Sequence, residues 1–302
     1  ALIRMYGLPS YDEVDPTAFF GLTYMLLFGA MFGDMGQGLV ILLAGLYLRH
    51  KKRRVNLGGV LSRLGVSSII FGALYGSVFG KEDLIPALLI RPMANINMIL
   101  IWAVALGVVL MTVSFIYSFI NNWKRHNLEE GLLGREGLVG FLFFWTLITA
   151  VANSQLGFVA VPLKIFIIIM AVLLLLNVFK QPIANMLKGS KKLYNESVVD
   201  YYTEAGFGVV ETLLSFLSNT ISFIRVGAFA LNHAGLYLAF ETMAEMANSG
   251  IGGILILILG NAVIIGLEGL IVFIQGLRLE YYELFSRYYS GEGVEYAPIK
   301  LS

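Results

Sequence analysis

The chain contains no cysteine, which excludes disulfides and thiolate metal sites. Histidine is almost as scarce. The three residues, at positions 50, 126 and 233, are too scattered for a His-based zinc site. No phosphate-cradling G-x-x-x-x-G-K-[ST] string is present, and the nearest approach, KGSKK at 188–192, has the wrong spacing. Any nucleotide energy therefore has to come from another chain. Charged residues make up only 14% of the sequence, where a soluble domain carries about 25%. The net charge of +1 gives no global field that would attract nucleic acid. The sequence starts at Ala1 with no signal peptide ahead of it, and it reads as the cut end of a longer protein.

Apolar residues, in contrast, make up 58% of the 302 positions. A helix needs about 20 of them in succession to cross about 30 Å of hydrocarbon. The runs predict an all-α, polytopic membrane protein with eight transmembrane helices. The first two share FFGLTYMLLFGAMFGDMGQGLVILLAGLYL and divide at GDMGQG into 17–32 and 35–49, because glycine tolerates the conformations of a tight turn. The others are expected over 58–79, 95–121, 137–153, 159–179, 205–247 and 251–288. The last two far exceed one crossing, since a 40-residue helix is about 60 Å long. Such helices have to tilt, break or project from the bilayer.

Basic residues orient the chain. RHKKRR (49–54), WKRH (123–126) and the group Lys180, Lys188, Lys191 and Lys192 each follow an even-numbered segment. Both termini are then cytoplasmic, provided that GDMG turns the chain around. The expected organisation is a lead-in segment (1–16), a six-helix support bundle (17–180), a cytoplasmic interfacial segment (181–204), two long helices (205–289) and a cytoplasmic tail (290–302). Asp34 reads as a turn residue or helix cap. Gly72, Gly76 and Gly80 read as a close-packing face.

The seventh segment carries Arg225 in the middle of an apolar run, where a permanent charge is expensive and usually functional. Counting back by three and four residues gives Ser222, Ser218, Ser215 and Glu211, all near one helical face. Asn232 and His233 lie two turns further on. In the eighth segment Asn261, Glu268 and Gln275 are seven apart and Arg278 follows three later, so at α-helical periodicity they share a face. With the two helices antiparallel and the arginines level, His233 lies about 12 Å to one side and Glu268 about 15 Å to the same side. Glu211 lies about 21 Å to the other. The polar groups thus separate into an inner set (Glu211, Ser215, Ser218, Ser222) and an outer set (His233, Glu268, Asn261), with Arg225 and Arg278 between them. Arginine does not give up its proton. It can repel a cation and favour the ionised form of a carboxylate brought within about 4–6 Å. The arrangement suits two wet half-paths separated by a fixed positive gate. Static ion pairs in a membrane scaffold, or a self-contained cation/proton secondary transporter using Glu268 and Glu211, would also account for buried charges.

FGAMFGDMGQG, SFIRVGAFALNHA and GLEGLIVFIQGLRLEYYELFSRYYSGEG resemble the membrane half of the a subunit, called subunit I in prokaryotes, of rotary V-type and A/V-type ATPases. The resemblance extends over essentially the whole chain, including MYGLPSYDEVDPTAFF. Its specific features are an Arg followed eight residues later by His, and a Glu followed ten later by a second Arg. It implies a non-hydrolytic stator of the Vo sector without cofactor or metal, against which a ring of c/K proteolipid subunits turns, their carboxylates carrying H+ or Na+. It implies that Arg225 and Arg278 face those carboxylates, with His233 and Glu268 in the outer half-channel and Glu211 in the inner one; the shared helical face adds Asn261 to the outer set and Gln275 as a supporting group. It also implies a central-stalk d/C-type subunit and peripheral-stalk E/G-type subunits as partners, a cytoplasmic N-terminal arm absent from this chain, and a prokaryotic plasma membrane location. One departure is Glu280, where some members have His.

Overall fold

A computed structural model describes residues 2–51, 55–81, 84–125, 129–157, 161–187, 194, 197–247 and 250–293. Among these the chain is predominantly helical, with no strand beyond two isolated bridges, Leu8 to Glu292 and Val78 to Lys81. The α-helices are α1 (Ile3–Tyr6), α2 (Thr17–Met31), α3 (Met35–Lys51), α4 (Val55–Tyr75), α5 (Ile96–Lys124), α6 (Leu138–Leu156), α7 (Leu163–Val178), α8 (Lys180–Leu187), α9 (Val198–Ser222), α10 (Ile224–Met246), α11 (Gly250–Val263), α12 (Gly269–Leu279) and α13 (Ser286–Tyr288). Three wider π-helical turns interrupt the series: π1 (Glu129–Leu133), π2 (Ile264–Glu268) and π3 (Glu280–Phe285).

The apolar runs form the helices, and their ends follow local chemistry. Pro162 precedes α7, where a missing N–H costs nothing. Gly157 closes α6 in the left-handed conformation (φ 62°), its N–H returning to the Asn153 carbonyl. Five helical stretches are long and apolar enough to cross a membrane: Leu57–Tyr75, Ile96–Lys124, Glu129–Ser154, Val198–Met246 and Gly250–Tyr288. A sixth arises if α7 and the following Lys180–Met186, bent by 64°, count as one span. With 15 residues, α2 is apolar but shorter than that criterion. The predicted division of the first run is observed, with α2 ending at Met31 and α3 beginning at Met35. The third helix stops at Tyr75 rather than 79. Of the three glycines read as a packing face, only Gly72 is in the helix, against Asp34 and Met35, while Gly76 and Gly80 take positive φ in the turn that follows. Residues 188–193, 195 and 196 of the 181–204 interfacial segment, Lys188, Lys191 and Lys192 among them, lie outside the described residues, as does most of the tail.

The chain divides into two compact units. The first comprises 1–5, 16–108 and 221–283, and the second 6–15, 109–220 and 284–302. In the first, α3 and α4 pack backbone to backbone. A Cβ on Gly45 would come within 2.5 Å of the Ser62 nitrogen, and one on Gly65 within 2.5 Å of the Leu42 nitrogen. Beside them, α2 buries Leu27, Phe28 and Met31, and both α10 and α12 pack on α2. In the second unit, Phe115, Phe143, Phe144 and Phe216 form an aromatic core. The Arg287 guanidinium lies 4.6 Å from the Phe115 ring and 5.0 Å from Phe216, a cation held by ring faces.

Asp34 is completely buried and all of its bonds are local to the first unit. Its Oδ1 accepts from the Gln37 N–H (2.8 Å) and the Phe79 N–H (3.0 Å). Its Oδ2 accepts from Ser77 Oγ (2.7 Å) and the Gly80 N–H (2.6 Å). One carboxylate therefore caps α3 and holds the turn after α4, as the cap reading expected. We expect Asp34→Ala to destabilise the protein by about 3 kcal/mol, because it strands several buried donors. Asp34→Asn should cost about 2 kcal/mol, since its amide hydrogens face donors. Denaturant unfolding in detergent micelles measures both, and a loss below about 0.5 kcal/mol for Asp34→Ala would show that the clamp holds nothing.

Candidate functional site

The outer set and the arginines all belong to the first unit. Arg225, near the start of α10, donates through Nη1 to Gln275 Oε1 on α12 at 3.1 Å. Two turns along α10, His233 Nδ1 lies 2.9 Å from Glu268 Oε2, and Asn232 Nδ2 donates to Glu268 Oε1 at 3.2 Å. The order 225 to 233 is met by 275 to 268, so the two helices run antiparallel with these pairs as rungs. The His233 and Glu268 side chains are only 4% and 3% exposed. The His233 ring lies 4.7 Å from Phe32, and its Nε2 has no hydrogen-bond partner among the described residues.

Asn261 has a different neighbour. It accepts from Gln37 Nε2 on α3 at 2.9 Å. Seven residues make two turns of an α-helix, but π2 intervenes, and the Gly269 N–H reaches back five residues to the Ile264 carbonyl. The wider turn leaves the seven-residue spacing about a quarter turn short. The face shared by Asn261 and Glu268 at α-helical spacing is therefore split, and each side chain meets a separate helix. No π turn separates Glu268 from Gln275, and both meet α10.

Arg278 is exposed and close enough to Arg225 for the two positive charges to repel. Among the described residues neither arginine forms an ion pair. The acid within their electrostatic reach is Glu283, 4% exposed, beside Ser222. The sequence count passed over Glu283 because residues five apart on an α-helix point about 140° apart. The π3 turn unwinds the helix after Arg278 and carries Glu283 round towards it. Glu280, the departure from the resemblance, is fully buried near Thr23 on α2, with neither carboxyl oxygen hydrogen-bonded among the described residues.

Of the inner set, Ser222 lies in the first unit, whereas Glu211, Ser215 and Ser218 lie in the second. Glu211 is exposed and accepts from Arg135 Nη1 at 2.7 Å. Arg135 also lies 3.6 Å from Glu136. These groups line a cavity of about 620 Å³ with Glu129, Glu130, Lys180 and Glu204, where Lys180 and Glu130 are paired at 2.6 Å. Arg135 was invisible to periodicity, being 76 residues from its partner. Ser215 is half-buried and Ser218 exposed. Among the described residues no cluster of His, Asp and Glu could hold a metal ion.

Several helices of membrane length and apolar composition, with ionisable side chains among them, place the chain in the class of polytopic helical membrane proteins. Within that class the chain belongs to the V-type ATPase 116kDa subunit family, whose model matches residues 1–79 and 181–301. The resemblance drawn from the three motifs is borne out. The chain is 31% identical to the A-type ATP synthase subunit I of Saccharolobus solfataricus, over 99% of this chain and 52% of that protein. The subunit I proteins of Aeropyrum pernix (28% identical, 99% of this chain, 49% of the relative) and Methanocaldococcus jannaschii (27%, 99% and 47%) are similar in the same way. The chain thus spans about half the length of the curated relatives it matches.

The buried pair gives a direct test of this geometry. A double-mutant cycle with His233→Ala and Glu268→Ala, read by unfolding in detergent micelles, should return a coupling of about 1–3 kcal/mol. Additivity within about 0.3 kcal/mol would mean the two side chains do not act together.

Proposed function

We propose that the chain is the membrane half of a rotary ATPase stator and lets H+ or Na+ cross by two half-channels that meet at an arginine gate. The observation that carries this reading is the bond from Arg225 to Gln275, a neutral amide, beside Arg278. The amide orients the guanidinium and leaves its charge uncancelled, as a group that must meet a carboxylate on another chain requires. Family membership supports the ring of c/K proteolipid subunits as that partner, with d/C-type and E/G-type stalk subunits in the same complex. The exposed apolar face of the last two spans is in keeping with a ring or lipid neighbour. Only 17% and 22% of their most apolar stretches is buried, against 39% for α4 and α5.

In this mechanism a ring carboxylate travels through lipid neutral, with its cation bound, since an ionised one is costly there. Opposite Arg225 and Arg278 the ionised form is favoured, and the cation leaves past His233, Glu268 and Asn261. The emptied carboxylate reloads from the inner side, by Glu211, Ser215, Ser218 and Ser222. Moving one charge against 100 mV costs about 2.3 kcal/mol, so uphill transport needs ATP hydrolysis in partner chains. The synthase name of the relatives adds the reverse direction to the reading. The chain on this view crosses a prokaryotic plasma membrane eight times, with both termini in the cytoplasm and the last two spans tilted beside the ring.

In reconstituted vesicles holding the whole complex, Arg225→Ala should abolish ATP-driven cation pumping while assembly is retained. Arg278→Ala should impair it, and Glu268→Gln should slow it less, because water partly replaces a vestibule acid. Near-normal pumping by the Arg225 variant would rule the gate out. The chain reconstituted alone under an ion gradient should be silent, and steady transport by it would instead favour a self-contained secondary transporter. The absence of native cysteine makes topology simple to read. Under eight crossings, a cysteine at Lys124→Cys should react with an impermeant maleimide only from the cytoplasm, and one at Lys81→Cys only from outside. The reverse pattern, or labelling of both from one face, contradicts that count.

A further inference from the structure

The first unit holds a second polar feature that the proposed transport reading does not use. A cavity of about 340 Å³ lies where α2, α3 and α4 meet, with Arg49 and Arg63 in its lining and no acidic residue among the lining groups. Both arginines are exposed, and neither has a hydrogen bond or ion pair with a described residue. Arg49 is in the last turn of α3. Arg63 is on α4, six residues into the membrane-length stretch Leu57–Tyr75, which places it about 9 Å along that stretch. Tight packing of α3 on α4 brings the two side chains to one cavity, since a Cβ on Gly58 would lie 2.8 Å from the Arg49 nitrogen.

An exposed guanidinium at that position on a membrane-length helix needs an anion or a route to the head-group layer. Phe20, Met25 and Leu64 give the lining apolar stretches where acyl chains would run, with Thr17 and Tyr24 as its uncharged polar members. Gly21 and Gly59 also line it, and a Cβ on either would meet nothing within 4 Å, so the walls are open along their length. We infer that this cavity binds an anionic phospholipid, with its phosphate held between Arg49 and Arg63 and its chains laid along α2. Two positive charges with no partner among the described residues and no acid in the lining, set beside Phe20, Met25 and Leu64, match a lipid better than a free anion.

The experiment uses the whole detergent-purified complex, stripped of lipid, and reads thermal stability after adding phosphatidylglycerol, phosphatidylcholine or inorganic phosphate. Phosphatidylglycerol should raise Tm by about 3 °C or more, and the other two should leave it unchanged. The double variant Arg49→Gln/Arg63→Gln should lose the rise. Gly59→Leu, which keeps both charges and fills the groove, should lose it as well. The proposal is overturned if either variant keeps the full rise, or if phosphatidylcholine or inorganic phosphate reproduces it. The readout is independent of pumping, so it stands or falls apart from the arginine gate.

Discussion

A guanidinium within apolar helices has to be oriented without being neutralised, and the Arg225–Gln275 hydrogen bond does this. A carboxylate in place of Gln275 would pair with Arg225 and quench its field. An aliphatic side chain would leave the long Arg side chain free among many rotamers, at a cost in conformational entropy on any encounter. The amide fixes a direction and takes no charge. Arg278 nearby adds a second positive charge that Arg225 cannot relieve by losing a proton, so the pair depends on surrounding groups for compensation. Glu283 supplies part of it at a distance, without forming an ion pair with either arginine.

The antiparallel rungs make the geometry of the first unit interdependent. Arg225–Gln275 and His233–Glu268 lie on the same two helices, so a shift of one helix along the other breaks both. Asp34 stabilises the same unit, where it caps α3 and pins the turn after α4. Gln37, one turn into α3, then meets Asn261 on α11. The residues that touch the outer set are therefore positioned by a carboxylate that is fully occupied with structural hydrogen bonds.

Much of this was legible in the sequence. The apolar runs located nearly every helix, and counting by three, four and seven picked out the side chains that meet across α10 and α12. His233 and Glu268, assigned to one side of the arginines by helical rise alone, prove to touch. Three kinds of feature were hidden for physical reasons. Widened turns carry no signature in residue type, so the common face of Asn261 and Glu268 was drawn with α-helical angles that π2 does not keep. Long-range partners such as Arg135 for Glu211 depend on tertiary packing that periodicity does not encode. Helix length along the apolar run is also not crossing length. GDMGQG separates α2 and α3 as read, but each is shorter than the usual span.

The turn at Ile264–Glu268 has one more consequence. It absorbs a surplus residue locally, so the helix on either side keeps its facing although the ladder of hydrogen bonds is widened between them. Loss of a single amino acid inside this turn could be taken up by tightening it to ordinary helix, leaving α11 and α12 aimed as before. The same loss a few positions further on, within α12, would swivel everything beyond it by about 100° and aim Arg278 at a different neighbour. Between α11 and α12, tolerance for the loss of a residue is thus concentrated in the five residues Ile264–Glu268.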